Sequence, residues 1–113
     1  MIIEKFGAME DGFDTFQALC KKTAIYPKQK GLEYTALGLM NEAGEYGGKV
    51  KKFIRDGVLD DIAASEELGD VLWYVAMAAE HLGYDLGEIA ANVIKKLDDR
   101  QKRNVLSGSG DNR

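Results

Sequence analysis

Four carboxylates carry the pattern in this chain from which chemistry can be argued. Glu42 and Glu45 stand three residues apart in "NEAGEYGG", and Glu67 and Asp70 repeat that spacing in "EELGD". On a helix this spacing puts both side chains of a pair on one face, a turn apart. A single pair is an ordinary solvated helix face, and Glu45 with Lys49 also has the i, i+4 spacing of a surface ion pair. The two pairs together are more specific. If their segments are helices folded back through "RDGVLDD", Glu45 and Asp70 are equidistant from the Gly57–Val58 turn and face each other. Glu42 and Glu67 then fall within a turn of the same level, at ~1.5 Å per residue. Both pairs also sit at matching angles from the apolar stripes of their helices. Four like charges meeting at one level repel unless a cation or protons compensate. Oxygen-only donors select a hard cation, and Mg²⁺, or Mn²⁺ in its place, suits a carboxylate cluster. A di-iron carboxylate centre is disfavoured: it calls for two Glu-x-x-His motifs, and the one histidine, His81, has Ala78 at that spacing.

The segments that must position these acids read as helices, because apolar residues recur at three and four and nothing alternates with a period of two. A first, short helix is expected from Phe13 to Thr23, a brace ended by Tyr26-Pro27. A second is expected from about Glu33 to Arg55 on an apolar stripe of Ala36, Leu39, Ala43, Tyr46, Val50 and Ile54, with Gly57 as its stop. A third runs from about Ile62 to Leu82, closed by Gly83. A fourth opens at Asp85, where Glu88 completes the pattern of a capping box, and ends near Lys102. Short connections make antiparallel neighbours, so the expected fold is an all-α antiparallel bundle of about four helices. The second and third helices carry more apolar surface than one short chain covers, which predicts a homodimer or homotetramer. Gly44, Gly47 and Gly48, with Gly69 opposite, are expected to let the two acid-bearing backbones approach closely.

With 113 residues, 45% of them hydrophobic and 30% charged, the chain is sized and composed for one globular domain spanning 1–113. Its last residues, about 107–113, are rich in glycine and serine and read as a flexible tail, or as a lid that closes with Arg113. A net charge of -4 excludes nonspecific capture of nucleic acid. The lone Cys20 forms no internal disulfide and fits a reducing compartment. No signal peptide is evident, and no apolar run approaches the ~18 residues of a membrane span, so the expected setting is the cytoplasm, with no membrane partner.

With "GLMNEAGEYGGKVKK" and "EELGDVLWYVA" both in view, the chain resembles the MazG-like family of all-α nucleoside triphosphate pyrophosphohydrolases. The family signature is Glu-x-x-Glu, a spacer, then Glu-x-x-Asp. Here it is Glu42-Ala43-Gly44-Glu45, twenty-one residues, and Glu67-Leu68-Gly69-Asp70, followed by "LWYVA". The likeness extends to "YPKQKGLEYTALGL", to "LGYDLGEIAANVIKKLDDR" and to a tail, "LSGSGDNR", like that of phage and bacterial members. It implies that Glu42, Glu45, Glu67 and Asp70 bind Mg²⁺ and are the catalytic acids, and that water attacks the α-phosphorus of a nucleoside triphosphate, a deoxynucleotide, to release pyrophosphate and the monophosphate. Control or cleaning of a nucleotide pool is the implied role, in the host cytoplasm if the chain is phage-encoded.

Other positions are weighed against that site. Tyr74, a turn beyond Asp70, is expected in the substrate pocket, and the adjacent Trp73 at an interface; both also suit a plain bundle core. His81 is assigned to the surface or an interface. On the fourth helix Asn92, Lys95, Lys96 and Arg100 can face a triphosphate, or be a solvated basic face near a helix C-terminus. Lys49 and Lys52 lie on the acid-bearing side and are expected to balance the acids or meet phosphate. The competing reading is a non-catalytic helical interaction module whose acidic strip holds a basic partner or a structural cation.

Overall fold

The computed structural model describes residues 2–110, and among them it has helices and connections but no strand. α1 spans Ile2–Lys21, α2 Gly31–Asp56, α3 Asp61–Leu82 and α4 Leu86–Lys102, with one 3-10 turn, Lys28–Lys30, leading into α2. The all-α expectation and the order of four helices hold. α2 and α3 end on Gly57 (φ 78°) and Gly83 (φ 80°), each in the left-handed conformation and donating its N–H back to the last turn. This closing geometry is one that glycine adopts without penalty. α3 opens on Asp60, whose side chain accepts from the Ala63 N–H at 3.0 Å, and at α4 the Asp85 N–H donates to Glu88 Oε1 at 3.3 Å, the reach-back half of a capping box. The first helix is longer than expected: it begins at Ile2, not Phe13, and runs through Gly12. Within that stretch Glu10 lies against Gly87 of α4, a tertiary contact of the kind that outweighs weak local propensity.

The core lies where α1 crosses the second half of α3 and the start of α4. Cys20, Ala76, Met77, Ala79 and Leu86 are its buried members, with Phe13, Phe16, Ala24, Trp73 and Val75 packed around them. Gln17, itself buried, clasps the three helices together. Its Nε2 donates to Ala76 O at 3.3 Å and to Tyr84 O at 3.1 Å, and its Oε1 accepts the Leu86 N–H at 2.8 Å. One residue on, the Gly87 N–H donates to Asp14 Oδ1 at 2.8 Å. Amides of the first turn of α4, which have no partner within their own helix, are therefore satisfied by side chains of α1. At about 1 kcal/mol net each, these bonds make α1 the brace the sequence predicts.

α2 is held differently. It forms an antiparallel hairpin with α3 through residues 57–60 and meets no other of the four helices among the described residues. The face it turns inward is also not the expected stripe. Thr35 is fully buried, whereas Ala36 and Ala43 are exposed and Ile54 is 80% exposed. The inward line is Gly31, Thr35, Gly38 and Glu42, at spacings of four, three and four. A Cβ on Gly38 would overlap the Tyr74 ring, and one on Gly31 would overlap the His81 imidazole. Gly44, Gly47, Gly48 and Gly69, the glycines expected at the close approach, have nothing within 4 Å of such a Cβ. The small residues sit about one and three turns away from Glu42, where rings of α3 need room.

The radius of gyration is 16.7 Å, against about 13 Å for a compact domain of this length, because α2 projects on one partner helix. After α4 the chain turns at Asn104 (φ 60°), the Val105 N–H donates to Arg100 O at 2.9 Å, and Leu106 shares a groove with Ile94 and Leu97. The last three residues of the expected tail or lid, Arg113 included, lie outside the described residues. No helix among the described residues is long and apolar enough to cross a membrane.

The two classes of glycine make opposite predictions. Gly38→Ala should lower stability in urea denaturation by about 1–3 kcal/mol, since the Tyr74 ring must swing away. Gly69→Ala, in open space within a helix, should raise it by roughly 0.5–1 kcal/mol. The same sign for both would contradict this packing.

Candidate metal centre

The hairpin of α2 and α3 brings three of the four acids together, in a pairing other than the turn arithmetic gives: Asp70 meets Glu42 and Glu67, and Glu45, expected opposite Asp70, stands outside the group. One carboxylate oxygen from each of Glu42, Glu67 and Asp70 lies within 4.8 Å of the other two. Glu42 and Glu67 are half-buried and Asp70 is exposed, so the cluster sits at the mouth of the helix seam. Glu42 Oε2 and Glu67 Oε2 are buried without a hydrogen-bond partner. A desolvated, unpartnered carboxylate oxygen is unfavourable by a few kcal/mol; two of them side by side call for a proton or a cation. Glu45, exposed and a turn further along α2, is close enough to Glu67 to act on its carboxyl.

The electrostatics of the cluster carry the same strain. Burial pushes the Glu42 carboxyl up to about 7, helped by its hydrogen bond to Glu67 and by repulsion from Glu45, Asp70 and Glu67. Glu67 is also raised, first by its hydrogen bond with Glu45 and then by desolvation, against the pull of its bond to Glu42 and of the Lys49 ammonium. Glu42, Glu67 and Glu45 thus form a short chain of carboxyl groups that can all be hydrogen-bonded only by sharing protons. The donor set fits a hard divalent cation: oxygen ligands only, two of them with buried oxygens to satisfy, spread close to what ~2.1 Å metal–oxygen bonds span. Glu42, Glu67 and Asp70 are the residues that would hold it, with Glu45 at their edge.

A cleft of about 290 Å³ opens beside Glu42 and Asp70, and its other walls are Thr23, Trp73 and Tyr74. Tyr74 is where the sequence puts it, a turn beyond Asp70. Trp73, assigned to an interface, lines the same cleft. Behind them stands a cluster of rings: Tyr26 stacks on Tyr34 at 4.6 Å, Tyr34 lies 6.3 Å from Tyr74, and the Tyr26 hydroxyl is hydrogen-bonded to His81 Nε2. His81, given a surface or interface role, is half-buried in that cluster. Tyr26 and Thr23 were legible only as the end of a helix. The signal for more was a tyrosine on each side of the first connection, with Trp73, Tyr74 and His81 on one helix.

The basic residues are placed apart from the cleft. Lys49 is half-buried and close enough to Glu67 to act on its charge. Lys52 is exposed and lies near Asp56, at the hairpin end of α2. Asn92 and Lys96 line a separate groove with Leu82, Tyr84, Ile89 and Val93. Lys95 is exposed, and Arg100 is only 4% exposed. Within one protomer none of these four lines the acid cleft.

Comparison with known proteins bears on the same residues. A profile of the MazG nucleotide pyrophosphohydrolase domain matches residues 30–105, a stretch that holds all four acids. The chain is also 44% identical to the "Gene 37 protein" of Mycobacterium phage L5 over 113 positions, covering 88% of this chain and 97% of the relative. No solved structure matches the chain.

The shifted carboxyls set a pH dependence. Because the fold holds the Glu42 proton up to about 7, and an unfolded glutamate releases it near ~4.3, the folded state binds more protons between those values. Its stabilising contribution is therefore full below about pH 4 and is lost as pH rises towards 7. Melting temperatures in chelator should fall between pH 5 and 7.5, a divalent cation should flatten the fall, and Glu42→Gln should lack most of it. The same slope in wild type and Glu42→Gln would contradict the assignment.

Proposed function

Because the chain belongs to the MazG nucleotide pyrophosphohydrolase family, whose members are in general dependent on divalent metal, we propose that it is a Mg²⁺-dependent hydrolase of nucleoside triphosphates. Its substrate is a deoxynucleoside triphosphate, cleaved at the α–β phosphoanhydride bond to the monophosphate and pyrophosphate. One observation carries this reading: within the matched region, Glu42, Glu67 and Asp70 converge with two buried oxygens that no protein donor satisfies.

Mg²⁺, or Mn²⁺ in its place, would be held by these three residues; bound there, it neutralises phosphate charge and makes a coordinated water more acidic. The remaining steps belong to the chain. Glu45 lies outside the three-residue cluster but within hydrogen-bond reach of Glu67, so it is the carboxylate available to take the proton of the attacking water. Tyr74 offers its ring and hydroxyl beside Asp70, and Gly38 leaves room for that ring at the seam. Lys52 and the α4 residues Asn92, Lys95, Lys96 and Arg100 are the substrate contacts proposed from the sequence. In a single protomer they stand away from the cleft, so those on α4 contribute only across an interface between copies.

Such an assembly has its own support. Leu37, Met40 and Ile54, at 63%, 64% and 80% exposure, share one outer face of α2 with Gly44 and Gly47, over which a second backbone can approach. The cleft of about 290 Å³ is at the lower end of the ~300–1,000 Å³ usual for ligand sites, as expected where one wall comes from elsewhere. We assign that face to a homodimer or homotetramer of a single-domain protein. The phage relative supports a site of action in the host cytoplasm, in control of a nucleotide pool.

Pyrophosphate release from the common dNTPs with Mg²⁺ should be measurable and abolished by chelator. Glu45→Gln and Asp70→Asn should each lower kcat/KM by about 100-fold or more, with melting unchanged or raised as carboxylate repulsion is relieved. Absence of turnover with every nucleotide, or a large loss of stability with turnover retained, would favour the interaction-module reading instead. Sedimentation should give the mass of two or four protomers, and Met40→Glu should shift it towards one; a monomeric wild type would refute the assembly.

A further inference from the structure

Nothing in the carboxylate chemistry requires a tryptophan, yet the one tryptophan of the chain, Trp73, stands in the cleft beside Glu42 and Asp70. At i+3 from Asp70 it shares that acid's side of α3. Its remaining surfaces are committed. One side packs on the buried core around Cys20, Ala76 and Met77. Tyr26 meets it edge-on at 6.3 Å and 84°, and Tyr74 at 5.0 Å and 78°. Its indole N–H donates to Thr23 Oγ1 at 2.9 Å. Thr23 in turn donates its hydroxyl proton to Cys20 O at 2.9 Å, so towards the indole its oxygen can only accept. The hydrogen bond fixes the edge of the indole, and the two perpendicular rings fix its plane. The result is an indole ring of set orientation that lines the cleft beside the carboxylates.

A flat heteroaromatic ring stacks on the face of such a ring whatever its substituents, and a rigid platform loses less freedom on binding than a mobile one. Resting on the reading of this cleft as a nucleotide site, we infer that Thr23 is a positioning residue that locks Trp73 as the stacking wall for the nucleobase. The phosphates are held at the carboxylates, the base at Trp73, and Thr23 acts only through Trp73. The wall thus stands on α3 beside the acids, while the residue that locks it comes from the connection between α1 and α2, outside the acid-bearing hairpin.

The single tryptophan makes intrinsic fluorescence a report on this wall alone. With Mg²⁺, a deoxynucleoside α,β-imidotriphosphate should quench Trp73 saturably, whereas inorganic triphosphate should compete with it and leave the emission unchanged. Thr23→Val should raise the Kd of the imido nucleotide about fivefold, the effect of one ordering hydrogen bond, without changing the Kd of inorganic triphosphate measured by calorimetry. Thr23→Ser, which keeps the acceptor, should restore it. In turnover, Trp73→Phe should raise KM more than it lowers kcat, and adding Thr23→Val to it should raise KM no further, because the two substitutions remove one interaction. Equal weakening of both probes by Thr23→Val, no rescue by serine, or additive effects in the double variant would overturn the inference. If wild type releases no pyrophosphate from any nucleotide, the functional reading fails; if it does and Thr23→Val binds the imido nucleotide as wild type does, only the wall fails.

Discussion

Carboxylates that cannot all be ionised together, held at a seam where water does not reach every oxygen, are the constraint around which this protein is arranged. Glu42 and Glu67 each bury an oxygen with no donor to meet it, and burial outranks repulsion as the cause that lifts Glu42 to about 7. A fold keeps such a group only if neighbouring contacts hold it in place. Here they are rings of α3 lodged against glycines of α2, at Gly38–Tyr74 and Gly31–His81, a packing too close for the helices to part without losing it. A divalent cation is a group that would relieve this tension, since it meets several carboxylate oxygens at once.

That arrangement divides the molecule into two parts with different tasks. The facing sides of α2 and α3 supply charge, and α2 has no member in the buried cluster. The crossing of α1 with α3 and α4 supplies rigidity, through the buried cluster around Met77 and the clasp of Gln17. The aromatic cluster lies between them. Tyr26 and Thr23 belong to the connection after α1, Tyr34 to α2, and Trp73, Tyr74 and His81 to α3, so the rings join the stable part to the charged part. The exposed outer face of α2 is the complement of this division: a helix turned towards its acids leaves its remaining apolar residues uncovered within one protomer.

Much of this was legible in the sequence because it depends on local periodicity. Spacings of three and four place Glu42, Glu45, Glu67 and Asp70 on facing surfaces, Gly57 and Gly83 close their helices, and Asp85 with Glu88 opens the last one. Three features were not legible, each for a physical reason. The stripe of Ala36, Ala43 and Ile54 marks an apolar face of α2 but not what covers it, and in this chain the inward side is set by Gly31, Thr35 and Gly38. The glycines beside the acids were expected at the close approach; they are open, because ring volume, not carboxylate convergence, decides where a Cβ is forbidden. Trp73 in the cleft depends on Thr23, fifty residues away, and no local spacing records such a pairing.

The clasp of α1 on the first turn of α4 has a further consequence, in the order in which the cleft is completed. Glu42 and Glu67 are joined across a short hairpin, a contact whose loop-closure entropy is small. Gln17 reaches Leu86 across sixty-nine residues and Asp14 reaches Gly87 across seventy-three, so among the described residues the docking of α1 is the most entropically demanding closure. Thr23 lies just beyond α1 and takes its place only when that closure is made. The acids are thus a product of local chain, whereas the hydrogen bond that orients Trp73 is made by segments fifty residues apart, so the charge of the site depends on the hairpin alone and the setting of its tryptophan on the docking of α1.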